Sequence, residues 1–133
     1  MNIKKLHAKI KYKEIFDLYG TDFSKISKCD NLPYDFIDMY FMRLRPFHPE
    51  RHQIFNDLIF EKYANKINWI LALKYQKISE YILEDNYDKL NKILLAKTQK
   101  LSKSFIKKHV GDLQLKYLEK NPHISIDEIR EFF

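Results

Sequence analysis

Three of the chain's four arginines, Arg43, Arg45 and Arg51, fall within nine residues of the segment MRLRPFHPERHQ (42–53). His48 and His52 stand among them. A guanidinium is a planar fork that binds carboxylate or phosphate bidentately, whereas a lysine ammonium is a point charge. The other 20 cations of the chain's 24 are lysines, so this local density of arginine is distinctive. Arg43, Arg45, His48, Arg51 and His52 are therefore the candidate binding residues, for an acidic protein partner or for nucleic-acid phosphate. The competing reading is a solvated turn whose arginines pair with Glu50, Asp38 or Asp57. His48 and His52 also have the i, i+4 spacing at which one helix face offers two imidazoles to a metal. The order is not H-E-x-x-H, Pro49 interrupts the backbone and no cysteine is near, so no metal site is expected.

Other chemistry has little to stand on. Two glycines cannot make a phosphate-cradling loop of the usual kind. There is no nucleophile elbow, and Asp35/Asp38 and Glu84/Asp85 read as solvated helix faces rather than tuned acid pairs. His7, His109 and His123 are isolated in sequence and read as ordinary helix-surface or core histidines. No catalytic residue, cofactor or enzymatic activity is expected. The single cysteine, Cys29, excludes an intramolecular disulfide framework and suits a reducing compartment. The opening MNIKKLHAKIKYKE has no apolar run after its lysines, and the longest such run, WILAL, is far too short to span a bilayer. A cytoplasmic protein without membrane contact is the expectation. A net charge of +6 permits attraction to nucleic acid or an acidic partner.

What must position these residues is legible in a repeat. A composition of 45% apolar and 15% aromatic residues is too rich for disorder, and scarce glycine and proline favour helix over turn-rich sheet. Shifted by 23 residues, NKINWILALKYQKISEYILE (65–84) lies over DKLNKILLAKTQKLSKSFIK (88–107) with eight identities in 20 positions. Gln76/Gln99, Lys74/Lys97, Lys77/Lys100 and Ser79/Ser102 are among them. The same step places Gln53 under Gln76 and Asn56 under Ser79, then Leu32, Phe36, Ile37 and Tyr40 in register. Forward, Ile124, Ser125 and Ile129 follow Leu101, Ser102 and Ile106.

Each unit reads as helix, tight turn, capped helix. Asn56, Ser79, Ser102 and Ser125 occupy N-cap positions, and Asp57, Glu80, Asp127 and Glu128 suit the positive helix ends that follow. The pairs Ile59–Phe60, Ile82–Leu83 and Phe105–Ile106 form the buried stripe of that second helix. In the first helix, Ile67, Ile70, Leu71 and Leu90, Ile93, Leu94 fall on one face at i, i+3, i+4. Pro33 is expected in the first turn of its helix. In the divergent unit, Leu44 and Phe47 hold the slots of Ile67 and Ile70, while His48 takes that of Leu71.

The phrase built from Trp69, Ile70, Gln76, Lys77, Ile78, Ser79 and Ile82 resembles a short two-helix repeat of about 23 residues in poorly characterised proteins of large DNA viruses, phages and bacteria. There an aromatic precedes Q-K-L-S and an apolar pair. The resemblance covers residues 21–133 and implies an all-α stack of repeats, with no shared activity. Trp69 keeps the family's aromatic, as does Phe23; Lys92 and Leu115 stand at the matching places, so those units are degenerate copies of the pattern.

The expected architecture is all-α: a short, right-angled, solenoid-like stack of four to five helix-turn-helix units over 21–133. An N-terminal capping helix within 1–20 should present Ile10, Ile15 and Leu18 to the stack and end at Gly20. LQLKYLEKNPHISIDEIREFF (113–133) also looks like the start of a winged helix-turn-helix, but the 23-residue register accounts for it more simply. Phe132 and Phe133 either tuck into the last groove, the favoured reading, or mark a partner surface. The expected function is a non-enzymatic protein-binding or adaptor module, with Tyr34, Tyr40, Tyr75, Tyr81 and Tyr87 available for contacts. The alternative is a nucleic-acid-binding protein using the Lys/Arg surface around residues 43–52. No residue pattern specifies the partner's identity or the oligomeric state.

Overall fold

The computed structural model describes Ile3 and residues 11–133. Among them there is helix and no strand. The helices are short: α1 (Lys13–Tyr19), α2 (Phe23–Ile26), α3 (Tyr34–Met39), α4 (Phe41–Leu44), α5 (Pro49–His52), α6 (Asp57–Lys62), α7 (Trp69–Tyr75), α8 (Glu80–Asp85), α9 (Lys92–Thr98), α10 (Lys103–Lys108), α11 (Leu115–Leu118) and α12 (Ile126–Ile129). Single turns of 3-10 helix occupy Arg45–Phe47, Tyr87–Lys89 and Arg130–Phe132. None is long and apolar enough to cross a membrane.

Helices this short are unstable alone, so lateral packing must hold them. α5 packs on α7, α7 on α9 and α9 on α11; α3 packs on α6, α6 on α8, and α10 on α12. We call α2, α5, α7, α9 and α11 the A series, and α3, α6, α8, α10 and α12 the B series. In the B series the paired apolar residues behave as their spacing predicts. Phe36–Ile37, Ile59–Phe60, Ile82–Leu83, Phe105–Ile106 and Ile129 are all buried, and each such side chain contributes about 1.5–3 kcal/mol.

The A series differs from expectation. Asn68 and Asn91 are extended and cap α7 and α9, their Oδ1 atoms accepting from the N–H groups of Leu71 and Leu94 at 3.1 and 3.0 Å. Ile67 and Leu90 are buried as expected but precede the helices, so the helices bury a different face. That face is Trp69, Ala72 and Leu73 in α7 and Leu95 and Ala96 in α9. Ile70 and Ile93, expected inside, are exposed, and Leu71 and Leu94 are half-buried. In the divergent unit Leu44 is buried but Phe47 is exposed.

The caps also divide. Asn56 Oδ1 accepts from the Ile59 N–H at 3.0 Å, and Ser102 Oγ from the Phe105 N–H at 3.2 Å. Ser79 and Ser125 stand at N-cap positions without a side-chain capping bond; Ser79 Oγ instead donates to Asp57 Oδ1 at 2.8 Å. Pro33 is itself the N-cap of α3 at φ −58°, ψ 145°, not a first-turn residue. Lys92, at the place of Trp69, keeps one of its hydrogen bonds. Trp69 Nε1 donates to the Ala64 carbonyl at 3.0 Å, and Lys92 Nζ donates to the carbonyl of Tyr87, 23 residues beyond Ala64. The ammonium also sits 4.1 Å from the Tyr87 ring.

At the N-terminal end, α1 packs on α2. Gly20 closes α1 at φ 59°, a left-handed conformation that glycine adopts without a Cβ clash. Leu18 is 75% exposed, contrary to its expected role. Tyr12 and Phe16 face inward instead, their larger rings 4.9 and 5.9 Å from that of Phe36. His7 and Ile10, read above, lie outside the described residues, as do 1, 2 and 4–10 of the expected 1–20 helix. At the other end Phe132 packs on the core and Phe133 is exposed.

Candidate functional site: a carboxamide ladder and a row of cations

Gln53, Gln76 and Gln99 end α5, α7 and α9, and their side chains are buried. Each carboxamide reaches the preceding A helix. Gln53 Nε2 donates to the carbonyls of Ser27 (2.8 Å) and Cys29 (2.6 Å), while its Oε1 accepts from the Leu32 N–H (3.1 Å). Gln76 Nε2 donates to the carbonyls of Glu50 (2.7 Å) and Gln53, and its Oε1 accepts from Phe55 (2.9 Å). Gln99 Nε2 donates to the carbonyls of Leu73 and Gln76, both at 2.9 Å, and its Oε1 accepts from Ile78 (3.2 Å). Asn121 ends the ladder one residue out of step. Its Nδ2 donates to the carbonyls of Ala96 (2.8 Å) and Gln99 (2.7 Å), but the shorter side chain turns its Oδ1 to the nearby His123 N–H (2.9 Å). A helix C-terminus leaves carbonyls without intrahelical partners; here the next carboxamide supplies the donor.

The first residue gripped in each rung, Ser27, Glu50, Leu73 and Ala96, is itself fully or almost fully buried. Immediately after each comes a cation: Lys28, Arg51, Lys74 and Lys97, followed by Lys120 at the same interval of 23. The ladder therefore puts these cations in structural as well as sequence register. Lys28, Arg51, Lys74 and Lys120 are exposed and Lys97 is half-buried. None of the five makes an ion pair among the described residues.

Glu50 is the exception inside the ladder. It is 1% exposed where Leu73 and Ala96 hold the equivalent places. Its Oε2 accepts from the Asn68 N–H at 2.6 Å, and its Oε1 is buried without a hydrogen-bond partner. It is thus not available to pair with the arginines at the surface. Asp38 is engaged by Lys62 and Tyr63, and Asp57 by Ser79. Arg43, Arg45 and Arg51 make no ion pair among the described residues.

The five candidate residues do not form one cluster. Arg43, on α4, lays its guanidinium 4.4 Å from the centre of the Phe23 ring, beside a groove lined by Lys13, Asp17, Gly20 and Tyr40. Arg45 is exposed in the 3-10 turn. His48 is exposed at φ 56°, a left-handed residue between that turn and α5, so it is not buried in the slot that Leu71 half-fills. Arg51 and His52 close α5, with Arg51 5.6 Å from the Tyr75 ring centre. Partial burial holds the His52 imidazole below the usual histidine range, and the positive charges of Arg51, Lys28 and His48 add to it. Lys28, Arg51, His48 and His52 therefore share one region of positive potential. No group of three His, Cys, Asp or Glu side chains capable of holding a metal occurs among the described residues.

The B series shows the opposite electrostatics. Lys62 pairs with Asp38 at 2.8 Å, Lys108 with Glu84 at 3.3 Å, and Lys103 with Glu128 at 3.6 Å. His109 is not isolated: its Nε2 lies 2.7 Å from Glu84 Oε1, and its ring stacks 4.0 Å from that of Tyr87. That contact, with help from Lys108, holds the Glu84 carboxyl below its ordinary range. Tyr81 and Tyr87 donate to Glu61 and Asp112, so their hydroxyls are committed within the chain. Comparison with known proteins finds no matching family model, no similar curated protein and no matching solved structure.

Proposed function

We propose that the chain is a short helical solenoid, of the kind its repeat resembles, and that it works as a non-catalytic binding module presenting the A series to an extended partner. The observation that carries this reading is the carboxamide ladder. It joins successive A helices through buried, uncharged hydrogen bonds and leaves the neighbouring cations uncommitted. Repeats that contact only their neighbours build extended surfaces from equivalent side chains of each unit. Arg43 and Arg51 flank the surface at its divergent unit, where a 3-10 turn and left-handed His48 lead into the short helix α5.

The test is a random-peptide display library panned on the wild-type chain and on the variant carrying Arg43→Glu with Arg51→Glu. Enrichment by the wild type and its loss in the variant, with helical circular dichroism and Tm unchanged in the variant, supports the module and its surface. Failure of the wild type to enrich any peptide overturns it. A nucleic-acid ligand remains the second reading, favoured by the same uncommitted cations; it requires affinity for a labelled oligonucleotide that falls steeply with salt.

A further inference from the structure

Across FSKI, PERH, WILALKY, KILLAKT and LKYL, the five A helices hold a single carboxylate, Glu50, and it is buried. Within these helices the accessible charge is therefore all positive; Lys28 and Lys120 stand just past α2 and α11, where exposed Asp30 and Glu119 also lie. One explanation is local: a cation in the last turn of a helix suits its negative end. That accounts for the presence of Lys74 and Lys97 but not for the missing anions, because Lys62 and Lys108 close B helices in the same way and both meet carboxylates. The A series keeps its row of cations without ion pairs among the described residues, with Arg51 and Lys97 set against the Tyr75 and Tyr117 rings.

Next to that row runs an apolar one. Phe47, Ile70 and Ile93 recur at 23-residue steps and are 38%, 44% and 42% exposed. In α7 and α9 the isoleucine stands four residues before Lys74 or Lys97, hence on the same helix face. A partner must therefore offer negative charge at regular intervals with apolar groups beside it. Packed helices stand about 8–10 Å apart. A polyproline-type extended chain rises about 3.1 Å per residue with three residues per turn, so side chains of every third residue share a face at about 9 Å spacing. The two periods match.

We propose, resting on the module reading above, that the A row of Lys28, Arg51, Lys74, Lys97 and Lys120 binds an extended acidic peptide segment with a carboxylate at every third residue and apolar residues between. Phe47, Ile70 and Ile93 take the apolar side chains. Single-stranded nucleic acid suits this surface less well, because base recognition without sequence readout relies on aromatic stacking platforms. The exposed row here is mainly aliphatic, and the Tyr75 ring already faces Arg51.

The experiment is fluorescence anisotropy with a labelled peptide of about five Glu-Leu-Pro repeats, a length that spans the row. Comparison probes are the Gln-Leu-Pro peptide, a peptide of the same composition with its glutamates gathered at one end, and a labelled oligothymidylate. Binding of the regular acidic peptide in preference to the other two peptides is expected. The variant Arg51→Gln, Lys74→Gln, Lys97→Gln should weaken it about tenfold, as three exposed ion pairs would, while Lys62→Gln with Lys108→Gln leaves it unchanged. Indifference to the glutamate spacing, equal binding by the triple variant, or no binding of the regular peptide by the wild type overturns the proposal. So does tighter binding of oligothymidylate, which would reassign the row to nucleic acid. Library enrichment of peptides without the acidic period would overturn this partner class while leaving the binding module standing; no enrichment at all would remove the module itself.

Discussion

The A and B series have the same number of helices and opposite ways of holding neighbours together. Nine carboxylates lie within the B helices, and Asp38, Glu84 and Glu128 among them bridge to cations on an adjacent helix or just past its end. The A helices have one carboxylate, buried, and are joined by neutral carboxamides. An exposed ion pair contributes little because water and salt already solvate its charges. A buried amide with three partners is costly to remove, since each orphaned group loses its hydrogen bond without regaining water. The difference teaches where stability and where free charge reside: the A series gains its cohesion from groups that consume no charge.

That comparison breaks first at Gln76. Replacing it by Ala orphans the Phe55 N–H and the carbonyls of Glu50 and Gln53, and should cost about 3–5 kcal/mol in the urea midpoint. Lys62→Gln, which removes an exposed bridge, should cost less than about 1 kcal/mol. A Gln76→Ala loss as small as that of Lys62→Gln would mean the ladder is not what binds the A helices.

Glu50 offers a sharper cut within the A series. Its Oε1 has no partner, so a charge there is poorly compensated, while its Oε2 caps the Asn68 N–H. Glu50→Gln keeps that acceptor and removes the charge, and is expected to stabilise by about 1 kcal/mol at neutral pH. Glu50→Ala removes the acceptor as well and is expected to destabilise by about 1–3 kcal/mol. Loss of stability in both variants would show that the charge itself is required.

How much of this is legible in the sequence follows the same division. The B series was readable because its signals are local: an apolar pair on a two-turn helix says which face is buried wherever the helix lies. Gln53, Gln76 and Gln99 stand out by identity at constant spacing, but a glutamine closing a helix looks like a solvated side chain until the preceding helix is placed beside it. Asn121 was further hidden by its step of 22. The A faces differ from their pattern because Ile67 and Leu90 belong to the pattern but not to the helix. Glu50 did carry a signal, standing in register with Leu73 and Ala96. The cation row is likewise present in the spacing, whereas the density of arginine at 43–51 is a signal of residue type and not of period, and the structure separates Arg43 from Arg51.

Cap substitutions test the helix starts at a smaller scale. Asn68→Ala and Ser102→Ala each remove a side-chain bond to a first-turn N–H and should cost about 1 kcal/mol. Ser79→Ala, at the equivalent place in the B series, loses only a bond to exposed Asp57 and should lie within about 0.5 kcal/mol of the parent. Equal losses for Ser79→Ala and Ser102→Ala in thermal unfolding would show that the cap geometry, not the Asp57 contact, governs both.

The smallest expected effect concerns pH, and it separates the series by sign. His52 binds its proton less readily when folded, because of partial burial and the charges of Arg51, Lys28 and His48. As pH falls through the usual histidine range near 6.5, the unfolded chain takes up a proton that folded His52 refuses, so the A series loses stability on acidification. His52→Gln should remove that part of the decline. In the B series the carboxyl of Glu84 is held low by His109 and Lys108, so its contribution is complete above the ordinary glutamate range and disappears only as pH falls through the lowered folded value. Unfolding midpoints between pH 7 and 5 should therefore respond to His52→Gln and hardly to Glu84→Gln, whereas between pH 4.5 and 3 the order reverses. An acidic ligand seated beside Arg51 would restore the affinity of His52 for its proton, so binding should strengthen over the same interval in which the free chain weakens.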